Sequence, residues 1–203
     1  MKWLAVILAM VFGLAVGFLI QKTIQPEPEF TFNQLLMLND QTNSLINQQL
    51  SQVVAALPGV ARVRLGLIHG PAVINKNNFR NYQFDVVNLK AAPGKDPGPT
   101  LSDQSMGQWQ DFITPMLGGQ CVEMQTGQLT SRETLERLNA LRATTFYGCP
   151  VRNHRGDLIG GIFAIWDDAT VPTDKNHIYA VLNDAAVNAY NAIETRLPRS
   201  DRL

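Results

Sequence analysis

The segment from Trp3 to Ile20, WLAVILAMVFGLAVGFLI, carries no charge and no proline. An apolar run of about 18 residues is just long enough to cross a bilayer as a helix. The run also has a register, because Ala5, Ala9, Gly13 and Gly17 recur at every fourth position. On a helix these small residues form one smooth stripe, along which a second backbone can approach closely. Residues 1–22 are therefore expected to be a membrane anchor that associates with other anchors. A cleaved signal peptide is the rival, with Lys2 as its basic start and Ala15-Val16-Gly17 as its cut site. The apolar run continues past that cut through Phe18, Leu19 and Ile20, which favours an uncleaved anchor. Lys2 and the terminal amine precede the helix, and Lys22, Glu27 and Glu29 follow it. By the positive-inside rule the N-terminus stays cytoplasmic and the C-terminal body is exported.

The rest of the chain suits one domain. Basic and acidic residues balance at 17 each. With no basic run or stripe, nucleic-acid binding is not expected. The only cysteines are Cys121 and Cys149, and His69, His154 and His177 are scattered, so no metal site is expected. An exported body permits a disulfide between the two cysteines; two buried free thiols are the alternative.

Gln25 to Glu29 reads as a stiff linker within residues 23–31. The domain proper is expected over 32–197, with a loose charged tail at 198–203. Helical spacing of Leu35, Leu38, Leu45, Ile46, Leu50, Val53, Val54 and Leu57 predicts a long first helix ended by Pro58-Gly59. Alternation predicts a strand over Val60–Ile68, with Val63, Leu65 and Leu67 on one face and Arg62 and Arg64 on a wet face. A second strand is expected over Asn81–Leu89, then a Pro/Gly loop from Ala91 to Thr100. Ser102 or Asp103 would cap a helix bearing Met106, Trp109, Phe112, Ile113 and Met116. A short strand at Cys121–Met124 precedes a helix with Thr130 and Glu133 at capping-box spacing. Strands over Thr144–Val151 and Leu158–Trp166 flank a turn at Asn153–Asp157. Gly160 and Gly161 would allow a bulge or a close approach. Thr173 would cap a final helix. The order implies an α+β domain, an antiparallel sheet flanked by helices.

The closing hairpin and helix, Tyr147 to Glu194, resemble the end of a GAF/PAS-like sensor domain. A narrower resemblance is carried by Phe84-Asp85, Gly94, Leu101-Ser102, Ser105-Met106-Gly107, Leu117-Gly118-Gly119, Tyr147-Gly148-Cys149-Pro150 and the block Gly161–Asp168. In that order and at those separations they resemble the T-even-phage type of holin, which has one membrane helix and an exported globular domain. That resemblance implies a chain that oligomerises in the host inner membrane, N-terminus inside and body in the periplasm. There it would open lesions that release an endolysin, with an antiholin binding the exported domain. The chain departs from the family in having only Met1 and Lys2 ahead of its apolar segment, and in the position of Cys121. The GAF/PAS resemblance implies instead a membrane-anchored sensory or ligand-binding module.

Catalysis finds little footing in the sequence. His69, Asp85, Ser102 and His154 can be combined into a triad, as can side chains of almost any domain this size, without showing the mutual geometry a site needs. Cofactor fingerprints are missing, including GxxxxGK[ST] and HExxH. Gly118-Gly119 and Gly160-Gly161 read as turn and strand-packing residues rather than a phosphate cradle. Core packing accounts for Trp109, Phe112 and Met116 as a helical stripe; lining a ligand pocket is the alternative.

Overall fold

In a computed structural model the described residues are 40–69, 74, 76–140, 142–167 and 174–194. The expected anchor with its stripe of Ala5, Ala9, Gly13 and Gly17, the linker and the charged tail lie outside them. Among the described residues no helix is long and apolar enough to cross a membrane.

Helix α1 spans Asp40–Ala56 and buries Thr42, Ile46, Leu50 and Val53, one side chain per turn. Asp40 places a carboxylate in the first turn, where unpaired N–H groups favour negative charge. Beyond the helix the chain turns at Gly59, whose φ of 75° suits glycine. Six strands follow: β1 Arg62–His69, β2 Gln83–Ala91, β3 Gln104–Ser105, β4 Val122–Gln125, β5 Thr145–Arg152 and β6 Leu158–Trp166. They form one sheet in the order β3-β2-β1-β6-β5-β4, with antiparallel neighbours throughout. The nearly all-apolar β6 therefore sits beside β1 at the centre, as its composition requires. Helices α2 Gln110–Leu117 and α3 Arg132–Ala140 lie between β3 and β5 in the chain, and α4 Lys175–Glu194 closes it.

Both sheet faces are covered. On one face, α1 and α4 pack over Val63, Leu65, Leu67, Cys149, Ile162 and Trp166. Trp166 is fully buried, and its indole N–H donates to the Pro58 carbonyl at 3.2 Å. On the other face, Phe84, Phe146 and Ile165 pack with Met106, Trp109, Phe112 and Met116. This second layer overturns the expected wet face of β1. Arg62 and Arg64 alternate correctly with the apolar residues, yet both are buried. The 92–98 loop folds over this strand end, and the Pro97 carbonyl accepts from Arg64 Nη2 at 3.0 Å.

The helix starts also differ from expectation. Neither Ser102 nor Asp103 caps α2; the chain first makes β3 and a 3-10 turn at Met106–Trp109. Asp103 instead adopts a left-handed φ of 51° and donates its N–H to Asp85. Ser131 Oγ, not Thr130, accepts from the Thr134 N–H at 3.3 Å and caps α3. Thr130 is held by Asp111 through its hydroxyl at 2.7 Å. Asp174 Oδ1 accepts from the His177 N–H at 3.1 Å and caps α4; Thr173 lies outside the described residues.

The β5–β6 hairpin turns at Asn153–Asp157 as expected, with Asn153 Oδ1 accepting from the N–H groups of Arg155 and Asp157. Val151 pairs with Gly160 and Arg152 with Leu158, so Ile159 is the extra residue of a bulge. A Cβ at Gly160 would collide with the Gly66 carbonyl oxygen across the ladder, which explains the glycine there.

Cys121 and Cys149 form a disulfide with a Cα separation of 4.2 Å. Val122 pairs with Gly148, so the two cysteines fall opposite one another one step further along the strands. The bridge ties the short edge strand β4 to β5.

Candidate functional site

The second face of the sheet encloses a cavity of about 40 Å³. Its floor is built from residues of the four strands β1, β2, β5 and β6, among them Gly66, Phe84, Phe146 and Phe163. Its roof is the apolar side of α2 and the turn before it: Trp109, Phe112, Ile113 and Met116. The helical stripe read from the sequence thus does both jobs, packing the core and walling the cavity.

An aromatic chain runs across this layer. Ring centroids are 5.6 Å apart for Phe84–Trp109, 5.8 Å for Trp109–Phe112, 4.2 Å for Phe112–Phe146 and 5.2 Å for Phe146–Phe163. Three of these separations fall in the usual range of favourable edge-on and tilted ring contacts, and the Phe112–Phe146 pair is closer still. Glycines make room for the last ring. A Cβ at Gly148 would sit 2.7 Å from both Met116 Cε and Phe163 Cδ1, and one at Gly161 only 2.6 Å from Phe163 Cζ.

The roof is tied down at both ends. Near its start, the Asp111 carboxylate accepts from the Thr130 N–H at 3.1 Å and from the Thr130 hydroxyl. At its end, Arg152 Nη2 donates to the carbonyls of Met116 at 2.7 Å and Leu117 at 2.9 Å. A cation at these unpaired carbonyls also suits the helix dipole. Arg152 stands at the end of β5, so these bonds link the α2 terminus to the β5–β6 hairpin. In the same hairpin, His154 Nδ1 lies 3.0 Å from Tyr190 Oη and 3.6 Å from Glu194, both on α4. Burial pushes the Tyr190 hydroxyl above the usual phenol range.

Two polar groups interrupt the apolar wall. Arg64 is 2% exposed, and its Nε and Nη1 have no hydrogen-bond acceptor among the described residues. Burial and the neighbouring charge of Arg62 lower its pKa to about 10, against a weaker raising effect of Asp96. Trp109 is 5% exposed, and its indole N–H likewise has no acceptor among them. Alternation alone assigned Arg64 to solvent. The available signal was its company on that face, since Gly66 and Ile68 are not residues of a wet surface.

Of the four side chains that could be combined into a triad, the fold brings two together. His69 Nε2 lies 3.4 Å from Asp85 Oδ2, while His154 is engaged with α4. His69, Asp85 and Asp103 offer ligand atoms within 4.8 Å of one another. Asp85 already accepts from the Asp103 N–H, and its contact with His69 ties the end of β1 to the start of β2. Internal pairing accounts for this cluster.

No protein-family model matches the chain, and no curated protein matches it. Solved structures do match. The blue-light absorbing form of the PixJ GAF domain of Thermosynechococcus elongatus superposes with a TM-score of 0.58 at 11% identity, over 76% of this chain and 86% of that one. The domain is GAF-like in fold. A far-red cyanobacteriochrome photoreceptor gives a TM-score of 0.55 at 15% identity, over 90% of this chain and 97% of its own. The photoproduct state of GAF3 from Slr1393 of Synechocystis sp. PCC6803 gives 0.54 at 13%, over 74% and 94%. At such identities the likeness establishes the GAF-like architecture and leaves the ligand to be argued from this chain's own residues.

Proposed function

We propose that this GAF-like domain is a sensory or ligand-binding module whose ligand sits between the sheet and α2. The observation that carries the reading is the cavity itself, an apolar chamber with aromatic walls. Small-molecule sites are usually concave and lined mainly by apolar and aromatic side chains. Size narrows the ligand class. At about 40 Å³ the chamber is several times the space of one water, yet far below the roughly 300–1,000 Å³ of drug-sized pockets. Visible-light absorption needs an extended conjugated chromophore, so the light-absorbing role of the similar domains is not carried over. A small, mostly apolar molecule fits.

A physical route leads from the cavity to α4. The roof α2 is tied by Arg152 to the β5–β6 hairpin, and His154 of that hairpin contacts Tyr190 and Glu194 of α4. A ligand that changes the seat of α2 would therefore load α4 through contiguous hydrogen bonds, a coupling argued from contact alone. The test is thermal unfolding of the full chain with small alcohols and benzene. A ligand at 100 times its Kd adds about 2.7 kcal/mol. For a domain of this size that amounts to a rise of roughly 5–10 °C. An unchanged melting temperature across the whole series contradicts the proposal.

A second reading is a lysis holin, working through Ala5, Ala9, Gly13 and Gly17 in the inner membrane and receiving an antiholin on its exported domain. The disulfide supports it, since such bonds persist in oxidising compartments, and an exported body is what the apolar segment implies. Expression of the full chain in a bacterium should then arrest growth, and the double change Gly13→Leu, Gly17→Leu should relieve it. Unimpaired growth and an intact membrane at high expression would sink this reading.

A further inference from the structure

A glycine inside a strand leaves bare backbone, and often marks a bulge or a place where a ligand or another chain segment comes close. Three such positions meet on the α2 side of this sheet. Gly66 of β1 stands directly opposite Gly161 of β6, and Gly148 of β5 stands opposite Phe163, two residues further along β6. One ring covers all three. The three atoms that a Cβ at Gly161 would meet first all belong to the Phe163 ring, from 2.6 to 3.2 Å away. A Cβ at Gly148 would lie 2.7 Å from Phe163 Cδ1, and one at Gly66 3.4 Å from Phe163 Cε2. The Phe163 side chain therefore lies over a glycine floor that spans three strands.

Two observations mark this ring as displaceable. Phe163 is the one partly exposed ring of the cavity wall, whereas Phe84, Trp109, Phe112 and Phe146 are buried. It also borders the cavity of about 40 Å³ without filling it, although a side chain serving only to cover glycine is expected to pack such space shut. The present occupant shows what the floor accepts. It is a flat six-membered ring, and Phe146 lies beside it at 5.2 Å with a tilt of 37°, an arrangement that suits a second aromatic molecule equally well. Resting on the ligand-binding reading above, we propose that the cavity binds a neutral aromatic molecule of one six-membered ring with a small substituent, and that Phe163 is its gate. The Phe163 side chain swings toward solvent, the ligand ring takes its place over Gly66, Gly148 and Gly161, and the adjoining void receives the substituent. This assigns Phe163 and the three glycines as specificity-determining residues of the site.

The test is calorimetric titration of the purified full chain with phenol and cyclohexanol, which share a hydroxyl and six ring carbons and differ in flatness. Phenol is expected to bind the parent at least tenfold more tightly than cyclohexanol. A site open only part of the time binds more weakly by the fraction that is open, so Phe163→Ala should bind phenol at least fivefold more tightly than the parent and keep the preference for the flat ring. Adding Gly161→Ala to that variant puts a methyl group on the floor where no ring remains to collide with it. It should weaken phenol at least tenfold while circular dichroism shows the fold retained. Should Phe163→Ala fail to fold, the parent's choice between the two probes decides the matter alone. Equal binding of phenol and cyclohexanol, or binding of 1-butanol with neither ring, overturns the aromatic class and leaves the ligand-binding module standing. Phenol binding that Phe163→Ala does not strengthen, or that the added methyl does not weaken, overturns the gate and its floor. Failure of phenol, cyclohexanol and 1-butanol alike removes both the proposal and the module.

Discussion

Replacing both cysteines with alanine is expected to lower the stability of the domain by about 3–4 kcal/mol, read from the denaturation midpoint. Cys121 and Cys149 close a loop with a sequence separation of 28. In the chain-entropy model, opening a loop of that length returns about this much entropy to the unfolded chain. The local setting adds to the effect. Strand β4 has only four residues and lies at the sheet edge, so its ladder to β5 and the bridge are its main attachments. Cys149 is fully buried, so its truncation would also leave a small void. Reductant acting on the unchanged chain should reproduce most of the loss. A midpoint that moves by less than about 0.5 kcal/mol equivalent would show that β4 is held by packing alone.

Phe112→Ala should be as costly, by about 3–5 kcal/mol, as large aromatic truncations in a core usually are. Phe112 is 1% exposed and touches Trp109 and Phe146 on either side, so its loss breaks the aromatic chain at its middle. Here the account makes a second, more particular claim. The deletion merges the missing ring with an existing chamber, and an apolar chamber of that size can take up benzene. Saturating benzene is therefore expected to restore a measurable part of the melting temperature in the variant and much less in the parent. A cost below about 1 kcal/mol, or no response to benzene, would mean that α2 collapses onto the sheet and that no chamber persists.

Much of this architecture could be read from residue order. Composition alone bounds strand β6 at Leu158–Trp166, and its glycines leave open a bulge or a close approach; the fold has both, a bulge at Ile159 and a close approach at Gly160. The stripe from Met106 to Met116 gave the roof, because an apolar face at helical spacing has to be buried somewhere. What the sequence hid was the second covering layer. Period-2 alternation reports which residues share a face, not whether that face is wet, and so Arg62 and Arg64 were assigned to solvent although a loop and a helix close over them. The caps failed for a related reason. Ser102, Asp103 and Thr130 have cap-forming side chains, but Thr130 and the Asp103 backbone are taken up by partners distant in sequence, Asp111 and Asp85. Pairing of Cys121 with Cys149 depends on β4–β5 register, which spacing does not encode.

The central claim is a ligand site on the α2 face of the sheet, and methyl-labelled NMR of the full chain tests it most directly. Isoleucines divide between the layers: Ile113 and Ile165 line the cavity, while Ile46 of α1 and Ile178 and Ile193 of α4 pack in the opposite layer. On titration with 1-butanol or benzene, the methyl resonances of Ile113, Ile165 and Met116 are expected to move saturably while those of the opposite layer stay in place. Shifts confined to the opposite layer, or none at any concentration, would contradict the account.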